Sequence, residues 1–214
     1  TEINWEDSLW VTFVRKREDW LDEFAEMATR TVQGIRPDAT VEHQASTMVL
    51  FWRFGVTYRL AESSTFLQGD FYGDIVQGSV ARKVFYNLTR HRPAGFETSF
   101  CVTLNNHTAR KPAEWIRCKA AAALADACAF VFIDAINPDG TMNSGVYDTM
   151  KSIYDEFRPY KPYLGGERCQ DVVIYLSTES KFDPKDNGTC LVAGSGAQGN
   201  QEPSASMPHV DAVF

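Results

Sequence analysis

Carboxylates, histidines, amides and aromatics recur in this sequence where short apolar runs give way to polar residues. Glu42, His43 and Gln44 close one run, and Asp70, Tyr72 and Asp74 follow another. Glu97 sits near the start of a third, with Asn105, Asn106 and His107 at its far end, and Asp134 and Asp139 follow a fourth. Two carboxyl groups flanking a glycosidic bond supply its acid, base or nucleophile. Amides and histidines pair with sugar hydroxyls, and aromatic rings cover sugar faces. Glu97 and Asp70 are therefore the candidate catalytic residues. His43, Tyr72, Asp74, Asn106 and His107 are the candidate substrate-binding residues. Glu97 stands out because a charge inside an apolar strand must be paired or face a polar mouth.

Each of these has a plainer reading. His43 at a strand end can simply bond a neighbouring carbonyl. Asp70 and Asp74 flank Gly73, where turn and helix-cap residues are common. Asp134 can cap the loop after its strand, and Asp139 in Asn137-Pro138-Asp139-Gly140 is a turn former. His91 and His209 are expected at the surface. No GxSxG elbow, GxxxxGKS loop or HExxH pair is present. Gly194-Ser195-Gly196 lies in a low-complexity stretch with no helix after it. No His, Cys or Asp spacing supports a metal, and no cofactor is expected.

The elements that must position these residues alternate. Residues 6–34 carry apolar side chains at Trp10, Phe13, Val14, Leu21, Phe24, Met27 and Ala28, close to the helical period. This helix is expected to bury its aromatics and to expose Arg15, Lys16 and Arg17. Asp7 or Ser8 can cap it and Gly34 can end it. Short strands are expected at 39–43 and 64–69, a helix at 78–91, a strand at 96–104, a helix at 111–127, a strand at 129–133 and a helix at 143–157. Strands alternating with helices at these spacings predict a parallel sheet. A closed (β/α)₈ barrel takes ~250 residues. Residues 1–162 are accordingly expected to form the C-terminal half of a TIM-type barrel, in the α/β class, with a small open doubly wound sheet as the competing arrangement. Residues 163–214 are expected to begin a second α/β domain, opening on a strand at 172–177 and carrying a flexible, Gly- and Ser-rich stretch at 186–208. The apolar run that ends at Phe214 suggests a piece of a longer polypeptide.

Composition narrows the partners. The 214 residues are 44% hydrophobic and 23% charged, with a net charge of −7. That is ordinary globular composition, and its acidity argues against nucleic acid. No apolar run reaches the ~18 residues of a membrane span. Five cysteines (Cys101, Cys118, Cys128, Cys169 and Cys190) occur singly, without a CxxC. Free thiols and a reducing, cytoplasmic setting are expected.

Several segments resemble α-L-fucosidase-type glycoside hydrolases. They are Gly95-Phe96-Glu97-Thr98-Ser99-Phe100 followed by Thr103-Leu104-Asn105-Asn106, then Lys111-Pro112-Ala113-Glu114-Trp115-Ile116, and Ile136-Asn137-Pro138-Asp139-Gly140-Thr141. A further group is similar: glycosyl hydrolases whose barrel is followed by a β-galactosidase-trimerisation or glutamine-amidotransferase-like domain. Val41-Glu42-His43-Gln44, Gly69-Asp70-Phe71-Tyr72-Gly73-Asp74, and Tyr163-Leu164-Gly165-Gly166 with Asp171-Val172-Val173-Ile174-Tyr175 fit it in content and order. The resemblance implies a retaining glycosidase whose Asp nucleophile lies on a strand that would precede Thr1. It also implies a homo-oligomer assembled through the second domain. The family's Trp-Gly-Tyr after the Thr-hydrophobic-Asn segment is replaced here by Asn106-His107-Thr108, so fucose does not carry over as the substrate. The competing expectation is a non-catalytic carbohydrate-binding or oligomerisation module.

Overall fold

The computed structural model describes residues 2–50, 52–103, 106–133 and 137–182, with the backbone path alone at 103 and 106–108. In chain order the elements are α1 (Ser8–Ile35), α2 (Leu60–Ser63), β1 (Gln68–Asp70), α3 (Ile75–Leu88), β2 (Gly95–Ser99), β3 (Cys101–Thr103), β4 (Asn106–Arg110), α4 (Ala113–Ala125), β5 (Ala129–Ile133) and α5 (Ser144–Phe157). Short 3₁₀ turns lie between and after them. Helix starts follow capping chemistry. Asp7, Asp74 and Asn143 accept backbone N–H bonds at the starts of α1, α3 and α5. Pro112 precedes α4, where its missing N–H costs nothing.

The fold is mixed helix and strand around a small parallel sheet, in the order β1-β2-β5. In register, Gln68 faces Gly95, Asp70 faces Glu97, and Glu97 faces Val131. The strand expected at 39–43 is extended chain that meets the sheet at one parallel bridge, Gln44 to Gln68. Ala45 N–H donates to the Gln68 carbonyl there (2.9 Å). Gly69 permits this approach, because a Cβ on it would lie 2.6 Å from the Ser46 nitrogen. The strand expected at 96–104 splits: β2 ends at Ser99, and the chain turns into the antiparallel pair β3–β4.

One face of the sheet is the core. Leu67, Phe71, Phe96 and Phe130 pack against Ala81 and Phe85 of α3, Ile116 and Ala120 of α4, and Val146 and Ile153 of α5. A second cluster joins Ile3, Val14, Trp52 and Phe182, with Trp5 edge-on to Trp52 (5.5 Å) and to Phe182 (5.3 Å). Residues 177–182 thus return to the first elements. Tyr58 N–H donates to the Thr178 hydroxyl (3.2 Å). The Lys181 ammonium donates to the carbonyls of Met48 (2.7 Å) and Val56 (2.9 Å).

Two expectations are corrected here. In α1, Val14 is core, but Phe13, Leu21, Phe24 and Met27 are exposed, and the buried side carries Glu18 and Asp22. An ionic network turns the helix this way. The Arg59 guanidinium meets Asp22 (2.8 Å), Thr57 donates to Asp22 (3.2 Å), and Arg17 donates to the Trp52 carbonyl (3.1 Å). The run 172–177 forms no strand among the described residues. Val172, Val173, Ile174 and Tyr175 are exposed, and a strand without a partner has no ladder to hold it. The stretch 186–208 lies outside the described residues.

Candidate functional site

Side chains alternate across a strand, and β2 shows the alternation in its own sequence. Phe96 and Thr98 are buried, while Glu97 between them is half-buried and points to the other side. That second side is polar. Gln44, Gln68, Asp70 and Glu97 share it through the bridge and the register. Glu42, two residues before Gln44, joins them, close enough for its carboxyl to feel the charges of Glu97 and Asp70.

The carboxyl groups are held rather than loose. The Ser46 hydroxyl donates to Asp70 Oδ1 (3.0 Å), and the Tyr72 hydroxyl bonds the same carboxylate. Gln68 Nε2 donates to Glu97 Oε1. Glu42 Oε1 is buried with no hydrogen-bond partner among the described residues. Burial, then the negative charges of Glu97 and Asp70, pushes the Glu42 carboxyl up to about 7. Burial and the Asp70 charge also raise Glu97, while the Gln68 bond partly offsets them. Burial, the bond to Asp70 and the neighbouring charges raise the Tyr72 phenol. A carboxyl that still holds its proton near neutrality, beside other carboxylates, is the arrangement that separates a general acid from its partner.

A cationic edge adjoins this face. The Lys111 ammonium donates to the Ser99 carbonyl at the end of β2 (3.2 Å), and Lys119 donates to the Gly73 carbonyl just after β1. Both ammoniums lie 4.4 Å from the Trp115 ring centroid, and Lys111 lies 5.8 Å from that of Tyr72. Burial lowers Lys111. Burial and the positive charges of Lys111 and Arg82 push Lys119 down to about 8.

Of the expected residues, Asp70, Tyr72 and Glu97 come together. His43 turns the other way: its Nε2 is 2.8 Å from the Thr29 hydroxyl of α1, and the ring also bonds the Ala25 backbone. Burial holds its imidazole below the ordinary value. This is the plainer reading of a strand-end histidine. Asp74 is exposed and caps α3, accepting from Val76 N–H (3.0 Å) and Gln77 N–H (2.9 Å). Replacing it with alanine should cost about 1 kcal/mol of stability, as thermal melts would show. An unchanged melting temperature would show that Asp74 is not held there for the cap. Asn106 and His107 lie on β4 by their backbone, and their side chains are outside the described residues, as are Asn105 and Asp134. Asp139 accepts from Thr141 N–H (3.0 Å) and serves its turn.

Sequence reasoning left Glu42 without a role and passed over Gln68, Lys111 and Lys119. Lys119 had a signal: it is the lone charge among Ile116, Ala120 and Ala123, on the buried face of α4.

Among the described residues, no group of three or more His, Cys, Asp or Glu side chains is arranged to hold a metal ion. No helix among them is long and apolar enough to cross a membrane. Comparison with known family models, curated proteins and solved structures finds no match to this chain. What the fold itself defines is a mixed helix-and-strand structure with a parallel three-stranded sheet bearing carboxyl groups on one face.

Proposed function

We propose that the polar face of the sheet binds carbohydrate, and that the chain supplies the acid/base side of a retaining glycoside hydrolase site. The observation that carries this reading is the pairing of Asp70 with Glu97 in parallel register, with Glu42 beside them. Neighbouring strands lie about 4.8 Å apart, so the two carboxyl groups share one patch and each charge acts on the other's proton. Glu42 or Glu97 would hold the proton given to the leaving oxygen, Asp70 would set the field around it, and Tyr72 would orient Asp70. The sheet also supports a finer reading of the fold as the C-terminal half of a TIM-type barrel. The bridge at Gln44, β1, β2 and β5 neighbour one another in chain order, all parallel, with helices between them. On that reading the nucleophile comes from an upstream strand, as the resemblance to fucosidase- and galactosidase-type enzymes implies.

The test is a titration of this chain with methyl α-L-fucoside and methyl β-D-galactoside, followed by NMR. Perturbation of Glu42, Asp70, Tyr72 and Glu97, abolished by Asp70→Asn, is expected. Unmoved resonances at these positions with both glycosides contradict the reading. The chain alone should bind without hydrolysing nitrophenyl glycosides, and measurable turnover would refute the assignment of the nucleophile elsewhere. Binding without turnover in a chain extended upstream would favour a carbohydrate-binding module over an enzyme.

A further inference from the structure

The structure assigns the substrate an anionic group. The glycoside bound on the polar face is acidic, and its carboxylate or sulfate lies against the Lys111 ammonium, with Lys119 behind it, on the Trp115 and Tyr72 side of the carboxylates. This rests on the carbohydrate reading above and adds the substrate class to it.

Positive charge is left unbalanced beside the sheet. Lys111 is half-buried and Lys119 is buried, yet neither forms an ion pair with any described residue. Other buried or half-buried cations meet either a carboxylate or a pair of carbonyls: Arg82 and Arg168 both reach Asp126 (2.7 and 3.0 Å), and Arg17 donates to the carbonyls of Trp52 and Arg53. Lys181 is also unpaired, but it stands singly and donates to two carbonyls. Lys111 and Lys119 instead share one indole, each 4.4 Å from its centroid, and each has one backbone acceptor. An ammonium offers three donors, so donor capacity is left over at both. Two like charges brought together out of water are costly unless something offsets them. Packing on Trp115 alone would be served as well by an uncharged chain of the same length.

Placement then selects the ligand. Lys111 lies over the Tyr72 ring, and the Tyr72 hydroxyl bonds Asp70. One aromatic ring therefore separates the cationic edge from the carboxyl cluster, and a single ligand can meet both. It would offer hydroxyls to Glu42, Asp70 and Glu97 and one anionic group to the lysines. A polyanion is disfavoured by the chain's net charge of −7.

Calorimetry with methyl β-D-glucuronide, glucose 6-sulfate, methyl β-D-galactoside and inorganic sulfate tests the assignment. At least one acidic sugar should bind about tenfold or more tightly than the neutral galactoside. That preference should fall towards unity in Lys111→Met and Lys119→Met, and persist in Lys111→Arg. Lys111 is half-buried, so its Met variant keeps the test open even where Lys119→Met fails to fold. Equal affinity for acidic and neutral sugars overturns the acidic-substrate inference and leaves the carbohydrate reading standing. A preference that survives Lys111→Met overturns the residue assignment. Inorganic sulfate binding as tightly as the sulfated sugar overturns it in favour of a plain anion site. Binding of none of the sugars overturns the carbohydrate reading itself.

Discussion

Phe96→Ala should lower the unfolding free energy by about 3–5 kcal/mol, the range for deleting a fully buried aromatic side chain. Phe96 is 0% exposed. It stacks on Phe71 at 5.6 Å with the rings 10° from parallel, and on Phe130 at 6.4 Å. The Arg82 guanidinium lies 4.9 Å over its ring. Helix α3 comes so close that a Cβ on Gly78 would lie 3.4 Å from the Phe96 ring. The ring thus fills the space between the middle strand and α3, and backbone on both sides limits how far the site can collapse. The same residue positions Glu97, because Phe96 inside forces its neighbour to the polar side. Denaturant unfolding measures the loss as a lower midpoint at unchanged slope. Phe24→Ala on the exposed side of α1 is the control, with an expected change within about 0.5 kcal/mol. Equal effects of the two substitutions would mean that the sheet face and the α1 face are wrongly assigned as core and surface.

The second large effect is a pH dependence. Glu42 titrates at about 7 in the folded chain, above the ordinary value for a glutamate, which it has when unfolded. A group whose folded value is raised favours the folded state while protonated. Its contribution is fully present below the unfolded value and is lost as pH rises to about 7. Glu42→Gln removes that loss. The variant should match the parent at pH 4 and exceed it at pH 8. Solvent screens a half-exposed carboxyl, so the gain is about 1–2 kcal/mol rather than the full value of the shift. Urea unfolding across that range reads it directly. A parent and variant whose stabilities run parallel from pH 4 to pH 8 would show that Glu42 is an ordinary solvated carboxylate.

Much of the scaffold was legible because it rests on local rules. Apolar spacing, with Pro112 at a helix start, placed α3, α4 and α5 within a few residues of their observed bounds. Glu97 between Phe96 and Thr98 announced a strand with one apolar and one polar face. What failed depended on partners distant in sequence. Periodicity showed which α1 residues share a face, but not which face the fold covers. That was decided by Arg59, Thr57 and the Trp52 carbonyl, which draw Asp22 and Arg17 inward. His43 and Glu42 are adjacent, so the pleat sends one to α1 and the other to the carboxyl cluster, and a strand end alone does not say which. The lysine pair was illegible because Lys111 and Lys119 lie on a loop and a helix. They meet only once Trp115 is placed against the ends of β1 and β2.

Three carboxyl groups gather on one side of a parallel sheet, and the titration of a labelled Glu42 carboxyl by carbon-13 NMR tests that most directly. The predicted result is a midpoint near 7 in the parent chain, falling towards the ordinary glutamate value in Asp70→Asn as one of the neighbouring charges is removed. A Glu42 midpoint at the ordinary value, indifferent to Asp70, would contradict it.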